Sequence, residues 1–336
     1  MSASLLNARC RLWSGLCLSV GVLLATTGSV TATAMDIAAG SVESADATDW
    51  EQLRCELQQR LSVDSRPVQQ ASSLYLRSIS ECPGTDPAED EIALAILLAG
   101  TEPDDTNLQW IAARVLLRQR GADKRVIPFL QQLAEREPDN GAAWLILAEA
   151  AQRGGNAPVA AMAYERMAGS TRFDAHRVEW IRGVLAAASA DPDHRAAYEA
   201  LTDLRQAEVF LDSSVAMAGE PFYLLNVTCR NPTAEEVRKT CSGAARPLTR
   251  SNTVIDRIIG TGIQARMGSQ TADEAEEHRT LRWQFKLLNT LSRADQKARN
   301  DEFLATGDEI ASMKRALERA GKSLVPPPDW VPRQAQ

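Results

Sequence analysis

Histidine is scarce in this 336-residue chain: it occurs only at positions 176, 194 and 278. So few imidazoles make a His-rich metal site unexpected. The six cysteines contain no C-x-x-C pair and have no histidine close by, so zinc is not expected either. Positive charge is also short, with 37 Lys and Arg against 44 Asp and Glu, for a net charge of -7. A nucleic-acid face needs clustered cations to displace phosphate counterions, and this balance argues against one. Neither a G-x-S-x-G elbow, an H-E-x-x-H helix nor a P-loop occurs. The chain is 44% hydrophobic and 24% charged, which is globular composition and excludes gross disorder.

The N-terminus reads as an export signal. Arg9 and Arg11 form a basic start, "LWSGLCLSVGVLLATTG" (12–28) is the apolar stretch, and Ala32-Thr33-Ala34 fits small-residue cleavage. The stretch is shorter than the roughly 20 residues that a span prefers, so cleavage after Ala34 is expected over a retained anchor. Leu16 ahead of Cys17 argues against a lipid anchor. Loss of Arg9 and Arg11, with no acid in the leader, takes the charge from -7 to -9. A periplasmic or secreted product with no stable membrane span is the expectation.

Cleavage removes Cys10 and Cys17 and leaves Cys55, Cys82, Cys229 and Cys241. An even number in an exported chain predicts two disulfides. Three pairings are possible, and sequence proximity favours Cys55–Cys82 with Cys229–Cys241.

Beyond a small, polar leader (35–48), the pattern is helical throughout. "DWEQLRCELQQRL" puts Trp50, Leu53, Leu57 and Leu61 on one stripe, with Asp49 as N-cap. Helices follow from Pro67 to Ile79 and over "AEDEIALAILLAG", ended by Gly100. After 205 the pattern predicts a helix to Gly219 and leaves "EPFYLLNVT" as helix or strand. A helix capped by Thr233 ends near Gly243. In the next, Val254, Ile255, Ile258, Ile259, Gly262 and Ile263 form one stripe. A long helix opens on the "TADE" capping box at Thr271, and a last one runs from Asp308 to Gly321. "VPPPDWVPRQAQ" is an extended tail.

Between 101 and 204 the chain echoes itself. Trp110 and Trp144, and Gly121 and Gly155, stand 34 residues apart; Leu130, Tyr164 and Tyr198 keep the same step. "EPDDTN" at 102–107 returns as "EPDN" at 137–140. A third unit is weaker, with Trp180 two residues late. Trp early in the first helix, Gly at the turn and a large residue late in the second resemble the tetratricopeptide repeat. The competing reading is an irregular helical bundle with a chance echo. The resemblance implies an all-α fold of stacked hairpins with a concave groove lined by first helices. Leu108, Ile111, Val115, Arg118 and Gln119 would line it from one unit, and Ala142, Leu145, Glu149, Gln152 and Arg153 from the next. Ile111, Val115, Leu145 and Glu149 replace the Lys and Asn of the family's carboxylate-clamp members. The groove would hold an extended or helical peptide, through Arg118, Gln119, Glu149, Gln152 and Arg153, or be buried by the protein's own C-terminal helices.

Three local patterns look chemical and yield to plainer readings. "GTGIQA" (260–265) fits the relaxed dinucleotide fingerprint but lies within a helical stripe, so its glycines are expected to serve close helix packing. Glu276, Glu277 and His278 are adjacent on a helix and diverge by about 100° each, so they do not converge on one substrate. The "NVT" sequon at Asn226 matters only in a eukaryotic secretory pathway.

The sequence therefore divides as leader peptide (1–34), flexible leader (35–48), hairpin domain (49–204), C-terminal helical domain (205–321) and tail (322–336). It predicts an exported, non-catalytic interaction protein with a protein or peptide partner and no cofactor. The alternative is an enzyme of unrecognised type, or a small-ligand binder, with a site between the hairpins and the C-terminal helices.

Overall fold

Asp105 and Asn140, the equivalent residues of the two "EPD" echoes, each N-cap a helix. The Asp105 carboxylate accepts from the Leu108 amide at 3.0 Å, and the Asn140 side chain accepts from that of Ala142 at 3.1 Å. The helices they start are α4 (Thr106–Arg118) and α6 (Gly141–Arg153), followed in turn by α5 (Val126–Arg136) and α7 (Ala157–Ala168). Gly155 takes the left-handed φ of 69° that the turn between α6 and α7 requires. Ahead of them lie α1 (Ala47–Ser62), α2 (Pro67–Ile79) and α3 (Glu91–Thr101). After them come α8 (Pro221–Thr228), α9 (Glu235–Leu248), α10 (Val254–Met267), α11 (Ala272–Leu288), α12 (Arg293–Thr306) and α13 (Glu309–Arg319).

This computed structural model describes residues 47–79, 82, 91–118, 125–179 and 221–332. The export signal, Gln119, Gly121, the third echo with Trp180 and Tyr198, and the helix expected before Gly219 lie outside the described residues. Those described form an all-α structure. No described helix is long and apolar enough to cross a membrane.

The main core runs from Leu57 and Leu76 through Leu108, Ile111, Leu130 and Leu147 to Leu225, Leu248, Ile263 and Met267. Helices from both halves of the sequence therefore share one interior. A smaller core joins Val254 to Leu281, Leu288, Leu291, Met313 and Leu317. Helix α10 belongs to both, because its first residue faces one core and its last turn the other.

Both expected disulfides form. Cys55 on α1 bonds Cys82 just beyond α2, with Cα atoms 5.3 Å apart, and Cys229 after α8 bonds Cys241 on α9, at 5.6 Å. Thr271 and Glu274 make the capping box in full, and Asp308 caps α13.

Several boundaries move. Asp49 lies inside α1, which begins at Ala47. The segment before Cys229 is a helix. Ala234 rather than Thr233 stands at the N-cap of α9, with no side-chain bond. Neither Gly100 nor Gly243 ends its helix. Gly243 is a packing glycine instead: a Cβ there would lie 2.9 Å from that of Ala168 on α7. The buried face of α10 is also rotated from the expected stripe. Asp256, Gly260, Ile263, Gln264 and Met267 turn inward, and Ile255, Ile258 and Ile259 are half-buried. This turns Gly260 onto the end of α9, where a Cβ would lie 2.6 Å from that of Leu248.

Candidate functional site

The most concentrated chemistry sits where the turn between α5 and α6 meets the loop after α7. Asn140 is fully buried and spends its whole amide there. Its oxygen accepts from the Ala142 and Asp174 amides, and its nitrogen donates to Glu137 Oε2 at 2.7 Å and to the Asp174 carbonyl at 2.7 Å. The amide of Gly141 donates to the Arg172 carbonyl at 2.9 Å, which holds the loop against the start of α6.

Glu137 is the hub. Its Oε1 accepts from the Trp110 indole at 2.8 Å. Its Oε2 receives Asn140, the Arg172 guanidinium at 2.8 Å and His176 Nε2 at 3.0 Å. Burial alone would raise the Glu137 pKa, but the bonds from His176, Trp110 and Asn140 outweigh it and hold the carboxyl down at about 2. Burial likewise opposes charge on His176, and the Glu137 bond with the charges of Asp174, Glu137 and Glu179 overcomes it, so its pKa is raised. The imidazole stacks at a tilt on Trp110, with ring centroids 5.1 Å apart. Its backbone is left-handed, with φ of 46°, and its amide bonds Asp174 Oδ1 at 2.8 Å.

Asp174, His176 and Glu179 bring potential metal-ligand atoms within 4.8 Å of one another, the one such trio among the described residues. The same carboxylates favour the imidazolium, and Nε2 is already engaged by Glu137. With Nε2 bonded to Glu137, Nδ1 is the ring atom left for a ligand, so the trio is a charge cluster that also holds the atoms a cation would need.

Beside this hub, a cavity of about 30 Å³ lies between α4, α6 and the start of α10, with room for about one water. Trp110, Leu145, Phe173, Arg114, Arg177 and Asp256 face it. Arg114 donates to the Ala175 carbonyl at 2.9 Å, and burial lowers its pKa. Burial pushes the Asp256 carboxyl up to about 6, although the Ser251 hydroxyl donates to it at 2.8 Å and Arg177 attracts it. Glu309 accepts from the Val254 amide at 3.0 Å and lies 3.8 Å from Arg177, so charges from α10 and α13 meet those of the hairpins here.

The expected groove is not open. Leu108, Ile111, Val115, Ala142, Leu145 and Glu149 are all buried, with α8 and α9 packed on α6. Glu149 points inward rather than outward, and its carboxylate lies 3.6 Å from Arg153. Helix α6 is central to the fold, so even its polar side turns toward protein. Gln152 and Arg153 reach the surface, where Gln152 accepts from the Tyr164 hydroxyl at 3.1 Å and Arg153 donates to the Leu117 carbonyl at 2.5 Å. Arg118 ends α4, its side chain outside the described residues, as is Gln119. The structure thus brings Glu149, Gln152 and Arg153 together at the end of α6.

Sequence reasoning missed the Glu137 hub. Its one local trace was the "EPDN" echo, which carries Glu137 and Asn140; Trp110, Arg172 and His176 join them only through folding. The chain matches no family model, no curated protein and no solved structure.

Proposed function

We propose that this is an exported, non-catalytic interaction protein built on tetratricopeptide-like hairpins, acting in the cell envelope, which meets a protein or peptide partner on its outer faces. The observation that carries the non-catalytic part is the saturation of Glu137. The carboxylate and imidazole that would suit acid–base work receive or give four bonds between them and their neighbours, and are spent on holding the loop after α7. The matching caps at Asp105 and Asn140 support the repeat. Among the described residues of the expected set, Gln152 and Arg153 reach the surface, while α8 and α9 pack on α6. The test is quantitative capture from a native envelope fraction with the mature protein as bait. One partner recovered in near-stoichiometric amount is expected; no recovery above that of an unfolded control would sink the proposal.

A second reading, a small-ligand or enzymatic site at the hairpin junction, rests on the buried Asp256 and Arg114 at the cavity, which has room for about one water and must widen to admit a metabolite. A metabolite that stabilises the wild type in a thermal-shift screen but not Asp256→Asn would support it. A screen without such a hit would remove it.

A further inference from the structure

A second concavity, a cleft of about 430 Å³, opens between α7, α9 and the end of α10. It is a half-open surface depression, and its charged side chains are exposed. One face of α9 forms its wall, carrying Glu235, Arg238, Lys239, Ser242 and Arg246. Ala168 and Gly243 make the floor, where α7 and α9 come too close for a Cβ on Gly243. Met267 and Ser269 stand opposite.

The cations here differ in their commitments. Arg238 donates to the Met267 carbonyl at 3.2 Å, at the end of α10, and lies 3.8 Å from Glu235. That cation is used for capping a helix terminus. Lys239 and Arg246 have neither a hydrogen bond nor an ion pair from their side chains among the described residues. Seven residues apart, they lie two turns along the same helix face, roughly 10 Å in rise. The Ser242 hydroxyl lies between them. Two uncommitted cations thus share one concavity, with Glu235 beside Arg238 as its acid.

We infer that this cleft binds a small ligand that carries two anionic groups, phosphate or carboxylate. Arg246 takes one anionic group through its planar fork, Lys239 takes the other as a point charge, and Ser242 donates between them. The site goes beyond the proposed partner binding: capture of a partner can succeed where anion binding fails, and the reverse.

The test is calorimetric titration of the mature protein, at constant ionic strength, with pyrophosphate in one arm and succinate in the other. Saturable one-to-one binding of at least one probe is expected. Lys239→Gln and Arg246→Gln should each weaken it about tenfold, the usual scale for one charged contact. Lys314→Gln, an exposed cation on α13, should leave it unchanged. The responding arm distinguishes a phosphate ligand from a carboxylate one. No saturable binding in either arm, unchanged affinity in both cleft variants, or an equal loss in Lys314→Gln would overturn the inference. All three positions are exposed, and a melting curve on each variant separates lost binding from lost fold.

Discussion

His176 Nε2 lies 3.0 Å from Glu137 Oε2, and each residue shifts the other toward its charged form. The histidine pKa is raised above 6.5, so its contribution to stability is full below that value and is lost as pH rises through the folded pKa. The glutamate pKa falls from 4.5 to about 2, so its contribution is present above 4.5 and lost as pH falls toward 2. The pair therefore stabilises most between about 4.5 and 6.5. Melting of His176→Gln against wild type should show the largest difference in that window, on the order of 1–3 kcal/mol for a half-buried charged bond. The difference should narrow on both sides. Asp256 and His278 titrate nearby, with pKa values of about 6 and 4, but do so in both proteins. A difference independent of pH would remove the charged pair.

The two glycines of "GTGIQA" should respond in opposite ways. A Cβ on Gly260 would stand 2.6 Å from the Leu248 Cβ and 2.9 Å from the Thr249 amide nitrogen. On Gly262 it would meet nothing nearer than the tip of Arg266, at 3.9 Å. Gly260→Ala should cost about 1–3 kcal/mol, the range for forcing added bulk into a packed core. Gly262→Ala should be neutral or stabilising by up to about 1 kcal/mol, because alanine is the better helix former. Denaturant midpoints would check both, and equal effects would refute the packing role of Gly260.

The features legible in the sequence were local. The Thr271 box, the Asp308 cap, the limits of α2 and both cysteine pairings depend on residues close in the chain. What it hid were choices made by neighbours. Gly243 looks like a helix stop until Ala168 is seen against it. Helix α12, framed by Ser292 and by Gly307 at φ of 74°, lacks a clear apolar stripe, so the helical period gives no sign of it. Glu149 reads as a surface acid because a helix with one apolar face should show its other face to water. In α6 that rule fails, since protein surrounds Trp144, Leu145, Ile146 and Leu147 alike. The Glu137 hub draws on positions from 110 to 176; Trp110, Glu137 and Asn140 are echo positions, but nothing in the sequence joins them to Arg172 and His176.

Both disulfides should be present in the protein recovered from an oxidising compartment. Thiol mapping should find Cys55, Cys82, Cys229 and Cys241 blocked until reduction. Each cross-link should stabilise by about 2–4 kcal/mol, since loops of 27 and 12 residues are closed. The double variant Cys229→Ala/Cys241→Ala isolates the shorter loop, and with it the tie between the end of α8 and α9. Free thiols on all four would contradict the fold at both sites.

Asp256 should make the protein less stable as pH rises. Its side chain is buried in the first turn of α10, and burial, the leading cause, raises its pKa from 3.8 to about 6. A raised carboxyl binds its proton more tightly folded than unfolded. Its contribution is full below 3.8 and is lost as pH climbs through 6. Asparagine cannot ionise, yet it keeps an oxygen for the Ser251 hydroxyl, now 2.8 Å away. Asp256→Asn should therefore gain on wild type above pH 6, with the gain shrinking below it. Arg177 acts against this, because removing the charge leaves Glu309 as its remaining acid in that cluster. If Asp256→Asn instead loses stability above pH 6, the attraction of Arg177 outweighs the cost of burial, and the carboxylate is ionised at the hairpin junction.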